Sequence, residues 1–282
     1  MSEGTPARQR RRVAITGSTG LIGRLLMDAW RESGKYEPVG VGRSEGPYTD
    51  VVADVTDLQA LVDAFQGADA VVHLAATSAV DSDWDAVLNS NLIGTRNAFE
   101  AARLAGVKQV VYASSNHAVG TYELENVPEL WDLHDPRQWD HTAELRPDSY
   151  YGVSKVYGEA MARYYVDHHD MRAVCLRIGG VRDPENPTHP SQAWKRERDN
   201  EDGIRELRRR MRAVWLSERD CVHLIECSLE TEHDWVLAYG ISDNPRKIWD
   251  IDHAREVLGY APMDSAPEEI MPGETEERKI FC

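Results

Sequence analysis

Thr16-Gly17-Ser18-Thr19-Gly20-Leu21-Ile22-Gly23 decides the fold of this 282-residue chain. It follows the apolar run Val13-Ala14-Ile15 and leads straight into Leu25-Leu26-Met27-Asp28-Ala29-Trp30, so the pattern predicts a buried strand that turns sharply into a helix. Gly17 supplies a backbone angle closed to other residues, Gly20 leaves no side chain in front of an anion, and Gly23 lets helix and strand pack closely. A helix starting here offers free N–H groups and partial positive charge, which suits a pyrophosphate. An ordinary strand-to-helix turn has the same local pattern, so the decision rests on the rest of the chain.

Downstream, short β-rich runs alternate with helical stretches. Strands are expected at 37–41, 51–53, 70–74, 109–113 and 173–177, with helices at 58–65, 84–105 and 150–169. That alternation predicts an α/β fold, a Rossmann-type doubly wound parallel sheet over residues 12–180. Residues 1–11 read as a loose tail. Residues 181–282 read as a small substrate-binding lobe and acidic tail, packed as one unit with the first part; they hold a charged helix at 201–212, a helix at 218–229 and a strand at 235–239. Residues 116–149 form a long connection, and such connections in compact domains are often functional.

Composition narrows the partners. The formal charge of -16 argues against nucleic acid and anionic membranes, which are bound through surplus Lys and Arg. The basic residues divide into 26 Arg and 6 Lys, and an acidic chain with few lysines resembles proteins of salt-loving archaea. No apolar run approaches the ~20 residues of a membrane span, and Val13 to Ile15 is too short for a signal sequence, so a cytoplasmic protein is expected. Cys175, Cys221, Cys227 and Cys282 show neither CxxC pairing nor zinc-ligand spacing. They read as ordinary thiols, and no metal is expected.

Tyr151-Gly152-Val153-Ser154-Lys155 is the second informative stretch. Positions i and i+4 share a helix face, so the Tyr151 hydroxyl and the Lys155 ammonium can meet in one pocket. An adjacent ammonium favours phenolate, which would lower the tyrosine pKa and make it a usable base.

The ordered set of a TGxxGxxG turn, Asp54-Val55, His73-Leu74-Ala75-Ala76, Asn91-Leu92-Ile93-Gly94-Thr95, Ser114-Ser115 and Tyr151 to Lys155 resembles the extended short-chain dehydrogenase/reductase superfamily. The resemblance implies a dinucleotide on Gly17, Thr19, Gly20, Leu21, Ile22 and Gly23. Further cofactor contacts are implied at Arg43, Asp54, Val55, Leu74, Ala75, Ala76, Asn91, Lys155 and Ile178. It implies Ser115, Tyr151 and Lys155 as catalytic residues: Ser115 polarises the reacting oxygen, Tyr151 is the base, and Lys155 tunes Tyr151. Asn91 would steady the active-site helix or a proton-relay water. A homodimer through the helices at 84–105 and 150–169 is also implied.

Within that superfamily, Ala113-Ser114-Ser115-Asn116-His117-Ala118-Val119-Gly120, Arg177-Ile178-Gly179 and Trp215-Leu216-Ser217 are similar to uronate dehydrogenases and to haloarchaeal NAD-dependent glucose-6-phosphate dehydrogenase. The likeness implies oxidation of C1 of a cyclic aldose, with Ser115, Asn116, His117, Tyr151, Gly179 and Arg210 at the sugar. Glucose 6-phosphate or a similar sugar is the leading substrate and a uronate the alternative. A nucleotide-sugar epimerase or dehydratase, and an NAD(P)-sensing binding protein, are the further readings. Arg208, Arg209, Arg212 and Arg205 are expected to be solvated or paired with Glu201 and Glu206. Residues 183–209 exceed the matching segment of these relatives. Val41-Gly42-Arg43 lacks the acidic residue that holds a ribose 2′-hydroxyl, so the cofactor expectation is NADP or NAD, tilted to NADP.

Overall fold

The computed structural model describes residues 10–182 and 201–267. Residues 1–9 of the loose tail, the long segment from 183 to 200, the end of the acidic tail and Cys282 lie outside the described residues. In chain order the elements are β1 (Arg11–Thr16), α1 (Leu21–Ser33), β2 (Tyr36–Gly42), β3 (Val51–Val52), α2 (Leu58–Ala64) and β4 (Ala70–His73). Then come α3 (Trp84–Val87), a π-helical stretch (Leu88–Ile93), α4 (Gly94–Leu104), β5 (Gln109–Ser115) and α5 (Thr121–Leu124). The chain continues with α6 (Tyr150–His169), β6 (Arg172–Ile178), α7 (Glu201–Val214), α8 (Glu218–Glu230), β7 (Trp235–Gly240) and α9 (Asp252–Leu258).

Among the described residues the sheet has seven strands in the order β3-β2-β1-β4-β5-β6-β7, and every neighbouring pair is parallel. Parallel strands are covered on both faces, which is why β1 is a continuous apolar run with Val13, Ala14 and Ile15 fully buried. One face carries Leu26, Met27 and Trp30 of α1 against Leu224 and Ile225 of α8. The other carries Leu61 and Phe65 against Phe99, Ala102 and Tyr165. The chain winds outward in opposite directions from β1 and β4, so the crevice at their C-terminal ends is where such a sheet binds ligands.

The structure corrects several boundaries. β1 begins at Arg11, inside the stretch expected to be loose, because Arg11 pairs with Tyr36. β5 runs on to Ser115, since Ser114 and Ser115 find partners in Arg177 and Ile178. The helix expected over 84–105 is interrupted by the π-helical stretch around Asn91. β7 lies beyond residue 180 yet is the seventh strand of the same sheet. No helix among the described residues is long and apolar enough to cross a membrane.

Candidate active site

The glycine turn has the geometry its sequence demands. Gly17 sits at φ +72°, and a Cβ there would stand 2.8 Å from the Ala75 amide nitrogen. A Cβ on Gly23 would stand 2.4 Å from the Gly17 carbonyl oxygen, so α1 can approach β1 only with glycine at this position. No side chain caps α1, whose N-cap is Gly20, and its first turn carries no acidic residue. Beside it the Ser18 hydroxyl is buried without a hydrogen-bond partner. A cradle that a Cβ would fill, an uncapped helix start and an orphaned hydroxyl together fit a pyrophosphate. The resemblance-based residues Thr19, Leu21 and Ile22 fall within this turn and the first turn of α1.

Neighbouring strand ends frame the cradle. Leu74 donates its amide to the Thr16 carbonyl at 3.2 Å, and the backbone of Leu74 and Ala75 lies against Gly17, with Ala76 next in the chain. His73 bridges Thr16 Oγ1 at 2.7 Å and Thr95 Oγ1 at 3.3 Å, and burial pushes its pKa down to about 3. Asp54 Oδ1 accepts from both the amide and the hydroxyl of Thr56, at 2.8 and 2.7 Å. These bonds lower the Asp54 pKa, and Val55 beside it is buried. Arg43 is exposed directly after β2.

Asn91 is engaged within the protein. Its Oδ1 accepts from the Thr77 amide at 2.7 Å, and Nδ2 donates to the Thr77 carbonyl at 3.0 Å and to Ser154 Oγ at 2.9 Å. Both amide hydrogens are thereby used within the protein. Of the two expected roles this geometry supplies the steadying one: Asn91 ties the loop after β4 to α6.

The residues expected to be catalytic converge at the C-terminal end of β5 and the start of α6, where Ser149 caps the helix by accepting from the Gly152 amide at 3.0 Å. Ser115 and Tyr151 share a side-chain hydrogen bond. Lys155 is 4% exposed, donates to the Ala113 carbonyl at 2.7 Å and lies 5.3 Å from the Tyr151 ring centroid. Burial lowers the Lys155 pKa to about 8, with the Glu159 charge opposing. Tyr151 departs from expectation. Burial raises its pKa, the Ser115 hydrogen bond pulls it down, and the Asp148 charge raises it again. Desolvation of the phenolate outweighs the Ser115 hydrogen bond.

Lys155 therefore makes stability depend on pH. Between about 8 and its ordinary 10.5, the unfolded chain holds a proton that the folded chain lacks, so stability rises with pH across that window. Lys155→Met is expected to flatten the rise, as measured by urea unfolding without cofactor at pH about 8 and about 10. An unchanged slope would contradict the burial assigned to Lys155.

Of the sugar residues expected from the resemblance, Ser115 and His117 lie against Tyr151. Asn116 is 3% exposed with its Nδ2 lacking a partner, and the His117 ring stands edge-on to the Tyr151 ring at 5.8 Å between centroids. Gly179, one past Ile178, is required because a Cβ there would stand 2.2 Å from the Val214 carbonyl oxygen. Arg210 binds Glu123 side-on, Nε to Oε1 at 2.7 Å and Nη2 to Oε2 at 2.9 Å. Glu123 also accepts from Trp131 Nε1 at 2.9 Å. Arg209 and Arg212 of α7 depart from the expectation of solvated or locally paired groups. Arg209 reaches Asp132, Arg212 is 7% exposed, and the Arg205 side chain lies outside the described residues.

Sequence reasoning missed Asp148, Glu123 and Ser154. The first two lie in the stretch 116–149, which has no periodicity to aim a side chain, and Glu123 meets its partner only across 87 positions. Ser154, by contrast, was legible as a neighbour of Lys155 inside the helical motif.

Comparison with known proteins agrees with this geometry. Over 272 residues the chain is 40% identical to an NAD-dependent glucose-6-phosphate dehydrogenase of Haloferax volcanii, covering 93% of this chain and 97% of the relative. It is 35% identical to an L-arabinose 1-dehydrogenase (NAD(P)(+)) of the same organism, over 90% of this chain and 97% of the relative. A crystal structure of a mutant uronate dehydrogenase from Agrobacterium tumefaciens, complexed with NAD, superposes with a TM-score of 0.71 at 28% identity, covering 91% and 86% of the two chains. Residues 13–200 match the family model described as the NAD dependent epimerase/dehydratase family, and with the glycine cradle and the Ser115, Tyr151 and Lys155 set in place the chain belongs to that family.

Proposed function

We propose that the chain is a dehydrogenase that oxidises C1 of a cyclic aldose to a lactone using NAD or NADP. The observation that carries this reading is the meeting of Ser115, Tyr151 and Lys155 at one end of the sheet, with the His117 ring against Tyr151. The Gly17 to Gly23 turn would hold the cofactor's pyrophosphate, with Asp54, Val55, Leu74, Ala75, Ala76 and Ile178 around it and Lys155 at the nicotinamide ribose. When bound, the nicotinamide supplies the hydride acceptor. Tyr151 then takes the proton of the C1 hydroxyl, Ser115 donates a hydrogen bond to the same oxygen, and the Lys155 charge stabilises the phenolate.

Glucose 6-phosphate leads the substrate choices because the relative with that activity shares 40% identity over almost the whole chain. A uronate is the second reading, favoured by the A. tumefaciens structure and by an arginine near the sugar residues, since carboxylate and phosphate both suit a guanidinium fork. The deciding assay offers glucose 6-phosphate, galacturonate, glucuronate and L-arabinose with NAD and with NADP, in molar KCl and in dilute buffer. One sugar should stand out by a wide margin in kcat/KM. Failure of every sugar with both cofactors would defeat the reading and turn attention to nucleotide sugars.

Arg43 supports use of NADP, because it follows a strand that ends in Gly42 without a carboxylate to repel a 2′-phosphate. Arg43→Asp is expected to raise KM for NADP at least about tenfold while leaving NAD within about twofold. Equal effects on both cofactors would refute that role. A homodimer is the assembly proposed. Trp84 and Ile93 on the 84–104 helical run, with Tyr150 and Val153 on α6, are exposed apolar residues, and light scattering showing only monomer would exclude it.

A further inference from the structure

Two glycines beside the site leave room for one carboxylate. A Cβ on Gly120 would stand 1.9 Å from Asp148 Oδ2, and one on Gly152 would stand 3.2 Å from Asp148 Oδ1. Asp148 fills the space between the turn after β5 and the start of α6, with its side chain 6% exposed. Its Oδ2 lies 2.6 Å from His117 Nδ1, and its Oδ1 accepts from the Ser149 hydroxyl at 2.8 Å. Burial pushes this carboxyl up, and the bonds from His117 and Ser149 more than reverse it, so it is ionised at neutral pH.

An ionised carboxylate only accepts hydrogen bonds, so the proton between the two groups belongs to His117 Nδ1. The other ring nitrogen, Nε2, is then the edge left for an outside partner. Capping α6 does not require Asp148, because Ser149 already performs it. The His117 ring lies against Tyr151, and the Asp148 charge is felt by both Tyr151 and Arg210. One carboxylate thus sits behind three residues of the site.

We propose that Asp148 is a positioning residue for sugar recognition: it holds His117 with the proton on Nδ1, so that Nε2 receives a substrate hydroxyl next to Tyr151. The same division of labour recurs wherever a histidine ligand is oriented by a carboxylate on its far nitrogen. This inference rests on the sugar-dehydrogenase reading for its kinetic part, while the state of the His117 ring can be read without any substrate.

The test combines Asp148→Ala, Asp148→Asn, His117→Gln and the double variant Asp148→Ala/His117→Gln. Long-range proton–nitrogen NMR of histidine-labelled protein, with the His117 signals assigned by their loss in His117→Gln, should show Nδ1 protonated in the wild type. Asp148→Ala should move the proton to Nε2, whereas Asp148→Asn keeps an acceptor in place and should retain it on Nδ1. With the sugar that the panel identifies, Asp148→Ala should raise KM about tenfold and change kcat far less. Asp148→Asn should raise KM less, and NAD affinity should stay unchanged in both. The double variant should be no worse than His117→Gln alone, because Asp148 acts through the ring. A proton on Nε2 in the wild type would overturn the proposal, as would additive losses in the double variant. If Asp148→Ala does not fold, Asp148→Asn decides by the same spectrum and the same KM. If no sugar is oxidised by the wild type, the function reading falls while the spectrum still judges Asp148.

Discussion

Tyr151→Phe is expected to lose kcat by roughly a thousandfold while binding NAD as tightly as the wild type. The substitution removes one hydroxyl and leaves the ring that packs beside Lys155 and His117, so the pocket keeps its shape. What disappears is the group proposed to take the C1 proton, together with its hydrogen bond to Ser115. Stopped-flow absorbance near the reduced-cofactor band gives the chemical step, and fluorescence quenching gives the affinity. Substantial turnover in Tyr151→Phe would mean that another group is the base. His117 would then be the first place to look, since its ring stands edge-on to the Tyr151 ring.

Arg177→Leu is expected to cost about 3–5 kcal/mol of stability, because it strands a buried carboxylate. Arg177 and Glu159 have side chains 1% and 7% exposed. Arg177 donates to both Glu159 oxygens at 2.9 Å, and Ser114 Oγ donates to Oε1 at 2.6 Å. Burial works against the arginine's charge, yet the bonds to Glu159 raise its pKa on balance, helped by Tyr239 across 3.2 Å. Replacing both ions by leucine should recover most of the loss, since desolvation of each ion offsets much of their attraction. Urea unfolding at fixed salt checks both statements. A loss under about 1 kcal/mol in the single variant would show that water or rearrangement satisfies Glu159.

Much of the architecture is written in local pattern. Alternating strand and helix signals, the spacing of Gly17, Gly20 and Gly23, and the i, i+4 step from Tyr151 to Lys155 each depend on a few adjacent residues. The structure places all of them as that pattern requires. Strand ends were less legible, because β5 continues to Ser115 only by virtue of a neighbour 63 positions away, Ile178. The charged contacts were hidden for the same reason. Arg210 could be singled out in α7, but nothing in the sequence says that Glu123 waits for it, or that Asp148 stands behind His117. The pKa of Tyr151 was misread because helical spacing reports which groups meet and is silent on how deeply they are buried.

Ser114 and Ser115 end the same strand, and successive strand residues point to opposite faces. Ser114 is committed to Glu159 and Ser115 to Tyr151, so one strand end serves as an anchor on one side and faces the proposed site on the other. Losing or gaining a single residue between Gln109 and Ser115 would exchange the two, putting the anchoring hydroxyl in the reaction cleft and the reacting one in the ion pair. Length variation in a chain of this design is therefore confined to what lies past the strand ends. The stretch from 116 to 149 leaves the sheet at a point held in register by β6, and it returns at Ser149, which caps α6; only the chain between those two fixed ends is free to change length.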